Sequence, residues 1–389
     1  MGFLMFTKSL LIVLVVAMGG CAGIKIMQPM RTGMYDWVMY GGSPQRDNVS
    51  KRSVQPPLKL LWEYNALAGI SGTPVVRDSL VLVGTLHGEL QAIHLATGKR
   101  LGYVVLESSI AGTPVLDGTN AIAACAAGNE TVVSYSLREG RKNWSMRYGA
   151  IESDPLLFED HLFVTTLDGL AYCLKKLDGM EVWKFESGVE GKRKPIRSSP
   201  ATDGSLIVFG GDDGMIYAVD RSTGSLRWMV KTDASIFTAP VIANGRVLVG
   251  NIGGRIYCLA LTDGALLWKK DAGAPIYAAA AATSDRFFLG ASDGTLKAYD
   301  AATGVERWSF TTRGALSSAP LISENVLYFG SLDRTLYAVN VDTGEELWRY
   351  SAPGRIRVSP VIWNDVLLVT SEDKYVLAFK PQGGEPEVR

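Results

Sequence analysis

Few side chains in this 389-residue chain have the chemistry of a nucleophile, a general base or a metal ligand. There are three histidines, His87, His94 and His161, and four cysteines, Cys21, Cys125, Cys173 and Cys258. A histidine works as a base only when a partner orients it inside a cleft. All three fall in turn-like stretches, so they read as solvated turn residues. Cys125 lies in an Ala-rich apolar run. Cys173 and Cys258 occupy a position that other parts of the chain fill with small residues, and they read as small buried side chains. Three cysteines beyond Cys21 is an odd number, which excludes a full disulfide framework. A Cys125–Cys173 bridge stays conceivable in an exported protein. No Cys-Cys pair and no Cys-x-x-Cys-His haem motif occurs. Asp and Glu stand mostly in turns, where Asp caps the backbone for local reasons. No catalytic residue and no metal ligand is expected, and no cofactor.

Charge narrows the partners. Lys+Arg and Asp+Glu balance at 39 each. A neutral chain has no field to hold a polyanion, so nucleic acid is not expected to bind. One basic cluster stands out, Gly191-Lys192-Arg193-Lys194-Pro195-Ile196-Arg197. Lys192, Arg193, Lys194 and Arg197 are candidates for partner binding, because loops on rigid scaffolds often carry function. A plain solvated basic loop is the competing reading.

These residues must be positioned by a repeat. An apolar strand, a turn rich in Asp and Gly, a second strand and then Gly-x-x-x-Trp recur about every 40 residues. SDGTLKAYDAATGVERW ends at Trp308 and DDGMIYAVDRSTGSLRW at Trp228. The glycines fall at Gly98, Gly140, Gly179, Gly224, Gly264, Gly304, Gly344 and Gly384. The tryptophans are Trp62, Trp144, Trp183, Trp228, Trp268, Trp308 and Trp348, with Gly102 and Tyr103 in the first unit's slot. A proline marks the other end of each unit, with Ala280 in the sixth place. Alternating apolar residues predict strands, and Asp213-Gly214, Asn244-Gly245 and Asp293-Gly294 predict tight hairpins between them. In the seventh unit the strands are expected at 316–322, 326–330, 335–340 and 345–350. Four antiparallel strands at this period make a propeller blade. The eighth unit lacks its Trp strand, and Leu58 to Tyr64, centred on Trp62, supplies one. The fold class is therefore all-β: an eight-bladed β-propeller, closed by an N-terminal strand in the last blade.

Around that ring, Ile70, Ile110, Ile151, Ile196, Ile236, Ile276, Leu316 and Ile356 recur four residues before each proline slot. They read as core. The next position varies: Ser71, Ala111, Glu152, Arg197, Phe237, Tyr277, Ser317 and Arg357. If these line the axial channel, Glu152, Phe237, Tyr277 and Arg357 give it one charged and one aromatic arc.

Residues 1–21 carry Lys8, an apolar run and two glycines before Cys21, the shape of an export signal. Met18-Gly19-Gly20-Cys21 resembles a bacterial lipobox, which implies a lipid on the Cys21 thiol. Ala22 after it implies, by the enteric sorting rule, an outer-membrane protein facing the periplasm. The expected organisation is a signal segment (1–21), a tether (22–57) on which Trp37 and Tyr40 could dock, the propeller (58–384) and a tail (385–389).

The Asp-Gly-x-x-Tyr-Ala-x-Asp-x-x-Thr-Gly-x-x-x-Trp phrase resembles the quinoprotein (PQQ-type) propeller repeat over about residues 58–384. That resemblance implies that the Trp packs between neighbouring blades. It leaves two subfamilies open. Quinone-dependent dehydrogenases would imply PQQ and calcium, but their paired cysteines are missing here. Small BamB-type lipoproteins would imply a non-enzymatic scaffold with a protein partner at the outer membrane. In these, an arginine-bearing segment before a mid-ring proline helps to dock the barrel-forming partner, a place held here by Arg197. Their Asp-rich stretch in a neighbouring blade has no counterpart in Ser235-Ile236-Phe237-Thr238-Ala239-Pro240. The scaffold is the expected function, with a periplasmic quinone- or small-ligand-binding propeller as the alternative.

Overall fold

The computed structural model describes residues 23–188 and 192–383. Cys21, Gly191 and Gly384 lie outside them. The described chain forms eight four-stranded antiparallel sheets, in the order innermost to outermost strand along the sequence. The eighth sheet is built from both ends of the chain: Leu58–Asn65 pairs antiparallel with Tyr375–Pro381, placing Trp62 opposite Ala378. This is the eight-bladed propeller expected, closed as expected.

One strand is shorter than predicted. In the seventh blade the innermost strand is Leu321–Ser323, and 316–320 is the approach to it. The other three run Val326–Gly330, Thr335–Asn340 and Glu346–Ser351.

The repeat residues act at the seams between blades. In every blade but the first, the small residue of the third strand stands directly opposite the Trp of the fourth, as in Ala218↔Trp228 and Cys258↔Trp268. A larger side chain there would collide with the indole. The indole leans onto the next blade. Trp228 Nε1 donates to Leu261 O at 2.9 Å, and Trp308 Nε1 to Val341 O at 3.0 Å. It also lies over that blade's repeat glycine: a Cβ on Gly264 would sit 2.8 Å from the Trp228 ring, and Gly264 has φ +74°. Glycine is needed there both for the left-handed turn and for the close approach. Nearer the axis the expected apolar ring is fully core: Ile70 through Ile356 are all 0–2% exposed. Burying one such side chain contributes about 1.5–3 kcal/mol.

The stretch expected to be a tether does something else over its described part. Residues 36–50 form a strap across one end of the channel. Its backbone bonds to the innermost strands of blades 1, 2, 4, 5, 6 and 7, through Val76, Leu116, Thr202, Ile242, Ala282 and Ile322. Side chains reach the remaining two blades. Arg46 donates to Asp154 O and Pro155 O of blade 3, and Trp363 Nε1 of blade 8 donates to Asp36 Oδ1 at 3.3 Å. The physical reason is edge satisfaction. Eight innermost strands present unpaired backbone groups toward the axis, and a strand edge without partners is costly.

The N-terminal end of this stretch fills a second gap. Blade 1 has Gly102 where the other blades have Trp. There Gly23 N donates to Tyr103 O at 2.7 Å, Ile26 N donates to Leu137 O at 2.7 Å, and Ile24 is 0% exposed. A Cβ on Gly102 would lie 2.5 Å from Gly23 O.

Candidate functional site

The strap turns the channel into a cup open at one end. Its cavity measures about 210 Å³. The variable position after the apolar ring supplies Ser71, Glu152, Arg197, Phe237, Tyr277, Ser317 and Arg357 to the lining, so seven of these eight candidates are brought together. The eighth, Ala111, is not among them.

A second slot, immediately before each proline, completes the wall. It reads Thr73, Thr113, Asp154, Ser199, Ala239, Ala279, Ala319 and Ser359. It is polar in blades 8 and 1–4 and alanine in blades 5–7. The same repeat alignment contains this pattern, and reading only the neighbouring slot missed it. Its polar half is a hydrogen-bonded chain. Thr73 and Thr113 hydroxyls meet at 3.0 Å, Thr113 N donates to Asp154 Oδ1 at 2.7 Å, and Ser199 Oγ donates to Asp154 Oδ2 at 2.8 Å. In the opposite half, the small alanines leave room for Phe237 and Tyr277, whose ring centroids lie 6.5 Å apart.

Tyr40 of the strap lines the floor, and Arg46 is enclosed beneath it. Arg46 is fully buried, and its guanidinium donates to Pro200 O at 3.0 Å, Tyr40 O at 2.5 Å, Asp154 O at 3.2 Å and Pro155 O at 3.0 Å. Burial lowers its pKa to about 10, against the pull of the Asp154 carboxylate. Burial, with Asp154 adding to it, pushes the Tyr40 phenol well above its ordinary range. No repeat signal could have placed these two residues at the axis.

The charged groups of the mouth are paired with one another. Arg197 forms ion pairs with Asp212 and, at 3.5 Å, with Glu152, and its guanidinium lies 5.4 Å from the Phe237 ring centroid. Arg357 pairs with Glu372 at 3.2 Å. Burial raises the Asp212 pKa in spite of Arg197. Among the described residues, no group of three or more His, Cys, Asp or Glu is placed to hold a metal.

The four basic candidates separate into two groups. Lys192, Arg193 and Lys194 are exposed on the connection between blades 3 and 4, whereas Arg197, half-buried, enters the cup. The connection is held by Ser187 Oγ, which donates to Lys194 O at 2.8 Å. The histidines lie elsewhere. His87 is in a turn as expected, but His94 and His161 occupy strand ends, His94 just before the turn 95–97 and His161 just after the turn 159–160. None of the three lines the cup. Cys125, Cys173 and Cys258 are free and buried, so the conceivable Cys125–Cys173 bridge is not formed. Burial pushes their thiols up to about 11, 12 and 12.

Comparison with known proteins agrees with this architecture. The family model described as outer membrane protein assembly factor BamB matches residues 59–185, 168–256 and 252–387. The outer membrane protein assembly factor BamB of Shewanella oneidensis is 23% identical over 48% of this chain and 60% of its own length. The chain thus spans under two thirds of that relative. The quinoprotein alcohol dehydrogenase PedH of Pseudomonas putida is 24% identical over 28% of this chain and 21% of its own length. The crystal structure of BamB from Moraxella catarrhalis superposes with a TM-score of 0.72 at 17% identity, covering 83% of this chain and 99% of that one, a likeness of fold. Matched across nearly the whole ring, the chain belongs to the outer membrane protein assembly factor BamB family of PQQ-type repeat propellers.

Proposed function

We propose that this propeller is a non-enzymatic docking module of the bacterial envelope, held at the outer membrane by a lipid on Cys21 and facing the periplasm. There it positions a protein partner, a β-barrel assembly component, by rigid presentation of its loops. Family membership is the observation that carries this reading. The geometry supports it. A ring fixed at every seam and strapped at its axis is a stiff frame, and Lys192, Arg193 and Lys194 stand exposed on one of its connections. Exposed basic groups at an interface rim accelerate encounter with an acidic partner surface and lose that effect in salt.

The test is co-purification from detergent-solubilised membranes with an outer-membrane β-barrel protein. Changing Lys192, Arg193 and Lys194 together to Ala is expected to abolish recovery of the partner, while Arg197→Ala acts separately at the cup. Recovery of no partner by the unaltered protein overturns the proposal. Cys21→Ser is expected to release the protein from membranes, and retention overturns the anchor.

The match to a quinoprotein dehydrogenase favours a second reading, a quinone- or small-ligand-binding propeller with PQQ chemistry. The cup's residues do not fit PQQ. That cofactor is a flat tricarboxylate that works beside calcium. Here the guanidinium groups of Arg197 and Arg357 are already committed to carboxylates, and the described residues offer no calcium ligand cluster. Dye reduction with an alcohol or sugar after addition of PQQ and calcium would restore this reading.

A further inference from the structure

We propose that the axial cup binds a neutral, hydroxyl-rich ring compound, of the chemical class of a monosaccharide. This goes beyond the docking role and uses different residues from the basic connection.

Three observations carry it. The first is charge. Arg197 is paired with Asp212 and Glu152, Arg357 shares the Glu372 carboxylate with Arg355, and Arg46 is enclosed beneath the floor beside Asp154, so four guanidinium groups stand against four carboxylates. An anion or a cation entering the cup must compete with these pairs, and a neutral ligand need not. The second is the pairing of surfaces. Phe237 and Tyr277, the latter 49% exposed, offer adjacent aromatic rings on one arc. The opposite arc offers the hydroxyls of Thr73 and Thr113 and the carboxylate of Asp154. A sugar ring has the same two-sidedness: C–H groups on its faces and hydroxyls, each both donor and acceptor, around its rim. The third is unmet hydrogen bonding. Ser317 lines the cup and its Oγ finds no hydrogen-bond partner among the described residues, whereas Ser359, 2% exposed, turns its hydroxyl toward the Tyr40 phenol. A ligand hydroxyl that reaches Ser317 Oγ would supply the missing bond.

Size sets the limit. The cavity of about 210 Å³ is smaller than the roughly 300 Å³ at which pockets begin to enclose drug-sized ligands. One ring fits the cup, and a longer glycan would have to project from its mouth.

The experiment is saturation-transfer difference NMR on the full chain in detergent, with glucose, N-acetylglucosamine and trehalose as separate probes and acetate and inorganic phosphate as charged controls. Expected is transfer to the C–H protons of at least one saccharide at millimolar concentration and none to acetate. Phosphate is expected not to displace the sugar. Tyr277→Ala is expected to weaken binding by roughly fivefold to tenfold. Its exposed position leaves the fold intact, which an unchanged melting temperature verifies. Ser317→Ala should weaken binding without removing the aromatic contact. No transfer to any saccharide, transfer unchanged in Tyr277→Ala, or displacement by phosphate each overturns the proposal. The Lys192/Arg193/Lys194 triple variant should bind the sugar normally, so failure of the cup and failure of the docking role are separately visible.

Discussion

The seam between blades 4 and 5 and the seam between blades 1 and 2 solve one packing problem with different parts. In the first, Trp228 of blade 4 lies against Gly264 of blade 5 and donates to Leu261 O. In the second, blade 1 has no tryptophan. Ile24 fills the space, and the backbone of Gly23 and Ile26 supplies the hydrogen bonds, to Tyr103 O and Leu137 O. The comparison teaches that a seam requires apolar volume and a donor, not a tryptophan as such. It also shows that a segment without repeat character can become part of the ring.

The largest expected effect tests the regular seam. Trp228→Ala should cost about 3–5 kcal/mol, by cavity formation and a carbonyl left without its donor, read as a drop in melting temperature. If the indole were only a surface feature, the loss would stay within about 0.5 kcal/mol, the usual range for surface changes. Ile24→Ala tests the substituted seam. It should cost about 2–4 kcal/mol, and because residues 23–26 can peel away on their own, limited proteolysis should cut there before the ring melts. Equal protease resistance in variant and parent would break the equivalence of the two seams. The repeat glycines sharpen the contrast. Gly224→Ala adds a Cβ 2.7 Å from the Trp183 ring at φ +71°, whereas Gly140→Ala at φ +73° meets nothing closer than 3.5 Å. Left-handed strain alone costs about 1–2 kcal/mol, so Gly140→Ala should lose about that much and Gly224→Ala more, by thermal melts of both. The smallest effect concerns Cys173 and Cys258, which sit opposite the seam tryptophans. With their thiols pushed up to about 12 and buried, neither should react with a thiol reagent at neutral pH until the protein unfolds, as mass spectrometry of labelled peptides would show.

What the sequence made legible follows the period. The Trp, Gly and Pro markers located every blade, Trp62 revealed the closing strand, and the variable slot held seven residues that do line one cavity. These succeed because each repeats a side-chain requirement, and a periodic requirement leaves a periodic trace. The strap left none. Val38, Pro44, Gln45, Asp47 and Asn48 contribute chiefly backbone carbonyls to the axis, and backbone groups are the same in any sequence. Arg46 is the exception, a cation at 0% exposure held by four carbonyls. Three of these carbonyls come from blades 3 and 4, more than 100 residues away in the chain, so no local pattern announces it. The basic run around Lys192 was visible as composition, but the direction of Arg197 away from its neighbours is a property of the fold.

The seam at Ile24 has a further consequence, one of mechanical orientation. A lipid on Cys21 would be separated from Gly23 by Ala22 alone, and two residues of chain reach at most about 7 Å. Gly23 is fixed to Tyr103 on the outermost strand of blade 1. A protein anchored in that way would not swing freely; it would stand like a wheel on its rim, blades 1 and 2 down, with its axle parallel to the bilayer. Fluorophores on blade 1 should then be quenched by lipid-borne quenchers and those on blade 5 should not. In that attitude the cup would open sideways along the membrane, toward whatever protein is embedded next to it.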